Sequence, residues 1–150
     1  MDFSSVLPKL RQIIHSEFTD FSALKDDFSG CDACFYCVGV SAAGMSKEKY
    51  HHLTYDFAMA AARELFEVNP EMTFIYVSGQ GTDSTEKGRM MWARVKGKLE
   101  NDLLGMGFGS IDQGADKGFV NPVISRKDQY PQQNMQRTPR AHLTLSLIHI

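Results

Sequence analysis

Three cysteines stand at intervals of three residues, a spacing at which thiolates can bind zinc or an iron–sulfur cluster. Cys31, Cys34 and Cys37 are therefore the first residues in the chain to suggest chemistry. The run lacks the fourth ligand of a ferredoxin-type site, and its apolar neighbours predict a β-strand. Because residues three apart on a strand point to opposite faces, Cys34 and Cys37 are badly placed to share an ion. We expect buried structural thiols and no metal.

Two adjacent histidines, His51 and His52, stand near the start of a predicted helix and could serve a substrate pocket. Adjacent histidines at a half-polar helix start more commonly lie on the solvated surface. We expect the surface position for both.

The composition is that of a folded domain, and we expect its partner to be a small molecule. Of the 150 residues, 43% are hydrophobic and 23% are charged, and the formal net charge is −2. These values argue against disorder, and without a basic surplus we expect no nucleic-acid partner. No stretch approaches the length of a membrane span, and no apolar run of signal-peptide length begins the sequence. We therefore expect a cytoplasmic protein with reduced thiols and no membrane partner.

Three short apolar runs predict the strands of a sheet. Residues 10–16 predict a first strand, followed by a turn and a short helix up to about Phe28. Residues 33–40 are almost continuously apolar, which is typical of a strand buried on both faces of a parallel sheet. Residues 72–78 predict a third strand, which a polar loop ends at residues 79–84.

Two longer segments show helical periodicity. One begins after Ser46, a preferred N-cap residue, and must stop before Asn69 because the residue preceding Pro70 disfavours helix. The other covers about residues 88–104, and Gly105 and Gly107 supply its stop. The apolar stripes predicted to face the core are Tyr50, Leu53, Thr54, Phe57, Ala61 and Leu65 on the first helix, and Met91, Val95, Leu99 and Leu103 on the second.

Strands that alternate with helices of this length predict an α/β fold, with a parallel sheet and helices on both faces. In such sheets ligands bind beyond the carboxyl ends of the strands. The rim predicted in this way contains residues 17–18, 39–41 and 78–79.

The last quarter of the chain has a different character. Residues 114–140 are rich in Gln, Asn and Pro and show no clear period, and we interpret 114–150 as an irregular or non-native tail behind a domain of residues 1–113. Residues 141–150 alternate weakly, as an edge strand would. Residues 145–150 also look like translated sequencing-adapter read-through, so no function is assigned to them.

Several of these stretches together resemble the atypical short-chain dehydrogenases/reductases of the NAD-dependent epimerase/dehydratase superfamily. The similarity covers about residues 9–112 and spans what would be the third, fourth and fifth strand units and the following helix. Its most specific part is a strand ending in residues 76–79 (YVSG), followed by residues 92–97 (WARVKG) on a helix.

The resemblance implies a Rossmann-type NAD(P)-binding fold, N-terminally truncated so that it lacks the first βαβ unit. The missing unit would carry the glycine-rich turn that receives the pyrophosphate. In the family, the end of the third strand flanks the adenine and the end of the fourth strand passes beside the cofactor. The cofactor-binding residues implied in this sequence are Glu17, Phe18, Cys37, Val38, Gly39, Val40, Ser41 and Lys96.

The resemblance also implies catalytic roles. In active members a Ser polarises the substrate oxygen, a Tyr transfers the proton, and a Lys four residues later lowers the Tyr pKa and holds the nicotinamide ribose. Ser78 and Lys96 match two of these roles, whereas the Tyr position is filled by Trp92, whose indole does not titrate usefully. Simpler interpretations remain open: Ser78 as a strand terminator, Trp92 as a packing residue, and Lys96 in an ion pair with Glu100.

Two functions follow from the resemblance. One is an NAD- or NADP-dependent oxidoreductase or epimerase that acts on a small carbonyl or hydroxyl substrate. The other is a catalytically silent NAD(P)H-binding regulatory or interaction module. The family commonly pairs these two long helices across a two-fold axis, which implies a homodimer of the intact parent.

Overall fold

The computed structural model describes residues 11–114 and 142–145. Within them, four strands form one parallel sheet in the spatial order β3-β2-β1-β4. In the two central strands of this sheet, Ala33 lies opposite Thr73 and Tyr36 lies opposite Tyr76. The strands are β1 (Ala33–Tyr36), β2 (Thr73–Val77), β3 (Ser110–Gly114) and β4 (His142–Leu145).

Helical segments connect the strands and pack against the sheet, which confirms the predicted α/β class. A single 3-10 turn, Ser22–Leu24, leads into α1 (Lys25–Phe28). The connection between β1 and β2 is a continuous helical run made of α2 (Lys47–His51), a π-helical turn (His52–Asp56) and α3 (Phe57–Val68). The helix α4 (Met91–Met106) joins β2 to β3.

The predicted ends of the first long helix and the Gly107 stop of the second are confirmed by their capping geometry, whereas α4 begins at Met91 instead of about residue 88 and continues through Gly105. The Ser46 side chain accepts a hydrogen bond from the backbone N–H of Lys49, as an N-cap residue should. The α3 helix ends at Val68, and Asn69 takes the extended conformation that a following proline requires. Gly107 ends α4 with φ 84°, a left-handed conformation that a residue with a side chain rarely adopts.

One face of the central strands carries the core. The even-numbered side chains Cys34, Tyr36, Phe74 and Tyr76 are at most 1% exposed and pack among the buried faces of α1, α3 and α4. The odd-numbered positions of β2 are only half-buried, and Val77 is 46% exposed. Among the residues that the structure describes, the helices therefore cover one face of the sheet.

The expectation of helices on both faces is thus wrong for this part of the chain. From β1 to β2 to β3 the chain moves across the sheet in one direction, so successive crossovers of the same hand place their helices on the same side. An apolar strand sequence carries no information about that direction.

The strand predicted over residues 10–16 is also wrong for the part that is described. Residues 11–17 form no regular element, and Ile14 is 93% exposed. β1 pairs with β2 on one side and with β4 on the other, which leaves no free side of β1 for residues 11–17. The edge strand predicted after residue 141 is present as β4, over His142–Leu145.

No helix within the described ranges is both long enough and apolar enough to cross a membrane.

The loop after β2 approaches α4 closely at one glycine. The backbone N–H of Asp83 donates to the carbonyl oxygen of Ala93, on the first turn of α4. A Cβ placed on Gly97, one turn further along, would lie 1.9 Å from the backbone oxygen of Asp83. Only glycine allows this loop to lie directly on the helix.

Replacing Gly97 by alanine should therefore weaken the fold by about 1–3 kcal/mol, the usual cost of overpacking. Gly105 is the matched control, since it lies in the same helix with nothing within 4 Å of its Cβ position. Gly105→Ala should stabilise the protein by up to about 1 kcal/mol, because alanine favours helix. Urea denaturation measures both changes. A stabilising effect of Gly97→Ala would contradict the close approach.

Candidate functional site

A cavity of about 370 Å³ lies where the chain leaves β1 and where α4 begins. Its volume falls in the range of roughly 300–1,000 Å³ that small-molecule sites occupy. The position is the one expected for a parallel sheet, beyond the carboxyl ends of the strands. The lining residues are Val40, Ser41, Ala42, Ala43, Tyr50, Trp92 and Lys96.

Three separate segments bring these side chains together. The loop after β1 supplies residues 40–43, and the Ser41 hydroxyl accepts a hydrogen bond from the backbone N–H of Ala43. The Ser46 cap fixes the start of α2, which places Tyr50 at the end of its first turn. Trp92 and Lys96 stand four residues apart on α4, so they lie on the same side of that helix.

Lys96 is a partly desolvated cation at this cavity. Burial lowers the pKa of its ammonium group, and the nearby Glu100 carboxylate opposes that shift. The ammonium nitrogen lies 6.0 Å from the centre of the Tyr76 ring. No carboxylate in the described ranges lies within ion-pair distance of Lys96, so the ion pair with Glu100 that the sequence left open as an alternative does not form.

The Glu100 carboxylate instead accepts hydrogen bonds from two hydroxyl groups. Ser78 donates a hydrogen bond from its side chain to one carboxylate oxygen, and Thr82 donates to the other at 3.0 Å. Both Ser78 and Glu100 are only 6% exposed. A buried carboxylate is costly unless hydrogen bonds satisfy it, and these two donors do so without neutralising Lys96.

Ser78 is not among the residues that line the cavity. Its hydroxyl proton points to Glu100, which leaves that proton committed to a protein partner. The sequence-based role of Ser78, polarising a substrate oxygen, would require this hydrogen bond to be exchanged.

The loop between β2 and α4 is held by its own hydrogen bonds. The Asp83 carboxylate accepts hydrogen bonds from the Thr85 hydroxyl and from the backbone N–H groups of Gly88 and Thr85, and these bonds lower its pKa. Arg94 on α4 donates to the carbonyl oxygen of Gly88 at 2.6 Å. The beginning of the same loop adjoins the cavity side chains, since a Cβ on Gly79 would lie 3.6 Å from the Lys96 ammonium nitrogen.

Of the eight cofactor-binding residues implied by the resemblance, three line the cavity: Val40, Ser41 and Lys96. Among the others, Val38 is buried in the core, whereas Cys37 and Gly39 are exposed.

Glu17 and Phe18 do not line the cavity. The Glu17 carboxylate accepts hydrogen bonds from Thr19, which lower its pKa. Phe18 stacks on Phe57 at the start of α3, with ring centres 5.4 Å apart. The adenine contact that the resemblance implies for these two residues stays a prediction.

The cysteines and histidines follow their patterns only in part: Cys31 and Cys34 are buried as predicted but Cys37 is exposed, and His52 is exposed as predicted but His51 is half-buried. Cys34 is fully buried and Cys37 is exposed, so the two thiols do not converge. Burial raises the pKa of the Cys34 thiol far above its ordinary value. The side chains of His51 and His52 both approach the Asp56 carboxylate near the surface, at 3.4 and 2.9 Å.

Two site residues were missed by the sequence analysis. Tyr50 was assigned to the core stripe of its helix, and Glu100 was considered only as an ion-pair partner of Lys96. Tyr50 has the spacing of a core residue, so periodicity alone does not separate the two roles. Glu100 carries no clear signal in the sequence, since it reads as one more charged residue on a helix with several.

The chain matches no protein-family model and no curated protein sequence. What the fold and the cavity define is therefore a class only: an α/β protein with a parallel sheet and a cation-bearing cavity at the carboxyl ends of its strands.

The hydrogen bond from Ser78 to Glu100 should support stability. Ser78→Ala leaves a buried carboxylate short of one donor, and we expect a loss of about 1–3 kcal/mol in the free energy of unfolding. Ser84→Ala is the control, because Ser84 is exposed in the same loop. The free energy of unfolding of Ser84→Ala should stay within about 0.5 kcal/mol of that of the parent chain. Thermal and urea denaturation at neutral pH provide the measurement, and indistinguishable variants would refute a supporting role for Ser78.

Proposed function

We propose that this chain is a Rossmann-type domain that binds NAD or NADP, from an oxidoreductase or epimerase acting on a small carbonyl or hydroxyl compound. The observation that carries the proposal is the pair of Trp92 and Lys96 on one side of α4, both facing a cavity at the carboxyl ends of parallel strands. This is the placement that the family resemblance implies for its proton-transfer position and its ribose-binding lysine.

The order of the strands supports the proposal. In the dinucleotide-binding fold the strand order is 3-2-1-4-5-6, so the fourth, fifth and sixth strands are consecutive neighbours. The strands β1, β2 and β3 are consecutive neighbours in the same way, joined by helical crossovers. The strand β4 pairs with the free side of β1, where the first strand lies in that fold.

The chemical character of the cavity fits the nicotinamide end of the cofactor. A lysine that lacks an ion pair among the described carboxylates can donate its N–H groups to ribose hydroxyls. The backbone of residues 40–43 provides a polar wall beside small side chains, which allows a flat ring to approach closely. When bound, the nicotinamide supplies or accepts a hydride, and the residues of this chain bind it, orient it and exclude water.

Trp92 is the single tryptophan of the chain and lines the cavity, so its fluorescence reports directly on binding. Titration with NADH and NADPH should quench it. Lys96→Met should raise the dissociation constant of the preferred cofactor by about tenfold to a hundredfold, which is the usual contribution of a hydrogen bond to a charged group.

Lys98→Met is the control for this experiment. Lys98 lies on the same helix but pairs with Asp102, outside the cavity lining. The Lys98→Met variant should bind NADH and NADPH with the same affinity as the parent chain. Absence of quenching up to millimolar concentrations of both cofactors would overturn the proposal. Quenching without turnover of small aldehydes, ketones or alcohols would favour the silent binding module.

Cofactor affinity should also fall as the pH rises through the lowered pKa of Lys96. Burial lowers this pKa below the ordinary 10.5, so the group loses its proton at a lower pH than a solvated lysine does. The charged form attracts the cofactor's phosphates and donates more hydrogen bonds, so affinity is highest below this pKa and is lost above it. NADPH titrations from neutral to alkaline pH check this. A parent profile as flat as that of Lys96→Met would contradict it.

A further inference from the structure

Of the described residues that line the cavity, only Lys96 carries an amine. The residue is half-buried, and the other lining side chains are largely aliphatic or aromatic. Burial lowers the pKa of the ammonium group, because the charged form is poorly solvated there. More of such a lysine is uncharged at neutral pH than of a solvated one, and the uncharged amine is a nucleophile.

The acids and phenols around Lys96 do not hold its proton in place. Both oxygens of the Glu100 carboxylate accept hydrogen bonds from hydroxyl groups, so this acid acts on the lysine only through space. Burial raises the pKa of the two nearby phenols, Tyr76 and Tyr50, and both are therefore neutral at physiological pH. The ammonium group can thus lose its proton without breaking an ion pair with any described residue.

The cavity leaves room for an electrophile beside the nitrogen. A Cβ placed on Gly79 would lie 3.6 Å from the Lys96 nitrogen and 4.0 Å from the Trp92 ring, and the missing side chain keeps this approach open. The cavity volume of about 370 Å³ accommodates a small organic molecule. Two lining residues of the loop after β1, Ser41 and Ala43, are exposed, so the site is open to solvent.

We propose that Lys96 is a nucleophilic lysine that captures a small aldehyde as an imine. The nitrogen lone pair forms a bond to the carbonyl carbon while the π pair of the C=O bond moves to oxygen, and proton transfer through solvent gives a carbinolamine. The C=N bond then forms with loss of water, which carries away the carbonyl oxygen and the two hydrogens of the amine. The indole of Trp92 favours an aldehyde with a flat, apolar body.

No cofactor takes part in this capture. The inference therefore goes beyond the proposed function and does not rest on it. Quenching of Trp92 by NADH or NADPH tests the proposed function separately, so the two can fail independently.

Lys98 provides a matched comparison on the same helix. It donates a hydrogen bond to the Asp102 carboxylate at 2.8 Å, and this bond raises the pKa of its ammonium group. Lys98 is also less deeply buried than Lys96. If access alone governed reactivity, Lys98 would react faster, whereas the proposal gives the opposite order.

The experiment treats the folded parent chain, without cofactor, with benzaldehyde and sodium cyanoborohydride at neutral pH. Cyanoborohydride delivers a hydride to the imine carbon and converts the imine into a stable secondary amine. Peptide mass spectrometry then measures the labelling rate at each lysine. Lys96 should be labelled at least about fivefold faster than Lys98, because more of it is uncharged. In guanidinium chloride the two rates should become equal, since the unfolded chain solvates both amines.

The pH dependence provides a second readout. The labelling rate at Lys96 should rise with pH and level off at a lower pH than the rate at Lys98, because only the uncharged amine reacts and the two pKa values are shifted in opposite directions. Lys98→Met should leave the rate at Lys96 unchanged. Equal or faster labelling of Lys98 in the folded chain, or a preference for Lys96 that persists in guanidinium chloride, overturns the inference. Both lysines are compared within one folded chain, so the result does not depend on whether a variant folds.

Discussion

The buried carboxylate of Glu100 links the three parts of the molecule that surround the cavity. Ser78 reaches it from the end of β2, Thr82 reaches it from the loop, and Glu100 itself belongs to α4. A charge this deeply buried is tolerated only while its lone pairs are satisfied. Because neutral hydroxyls satisfy it, the carboxylate fixes strand, loop and helix relative to one another without forming an ion pair with Lys96.

This arrangement explains how a lysine can stay uncompensated so close to an acid. Had Glu100 turned toward Lys96, the two charges would have neutralised each other at the surface of the cavity. Instead, the favourable field of Glu100 still acts on Lys96, but the N–H groups of the lysine are left for other partners. The loop that carries Thr82 is in turn held by Asp83 and by the close approach at Gly97, so the donor geometry is set before any ligand arrives.

Much of the fold could be predicted from the sequence because its helices carry local signals. The cap at Ser46, the stop before Pro70 and the left-handed Gly107 are properties of single residues and their neighbours. Strand positions depend on partners that are distant in sequence, and residues 11–17 have the composition of a strand but form none. The side of the sheet on which a helix packs depends on the direction of the chain across the sheet, which no window of residues encodes.

The same distinction applies to the site. Val40, Ser41, Trp92 and Lys96 were predictable because they follow strand ends or share one side of a helix, both of which are regular geometry. Tyr50 was not, since a phenol that lines a cavity and one that packs in a core occupy the same helical positions. Its cavity role depends on α2 lying across from α4, a tertiary relation.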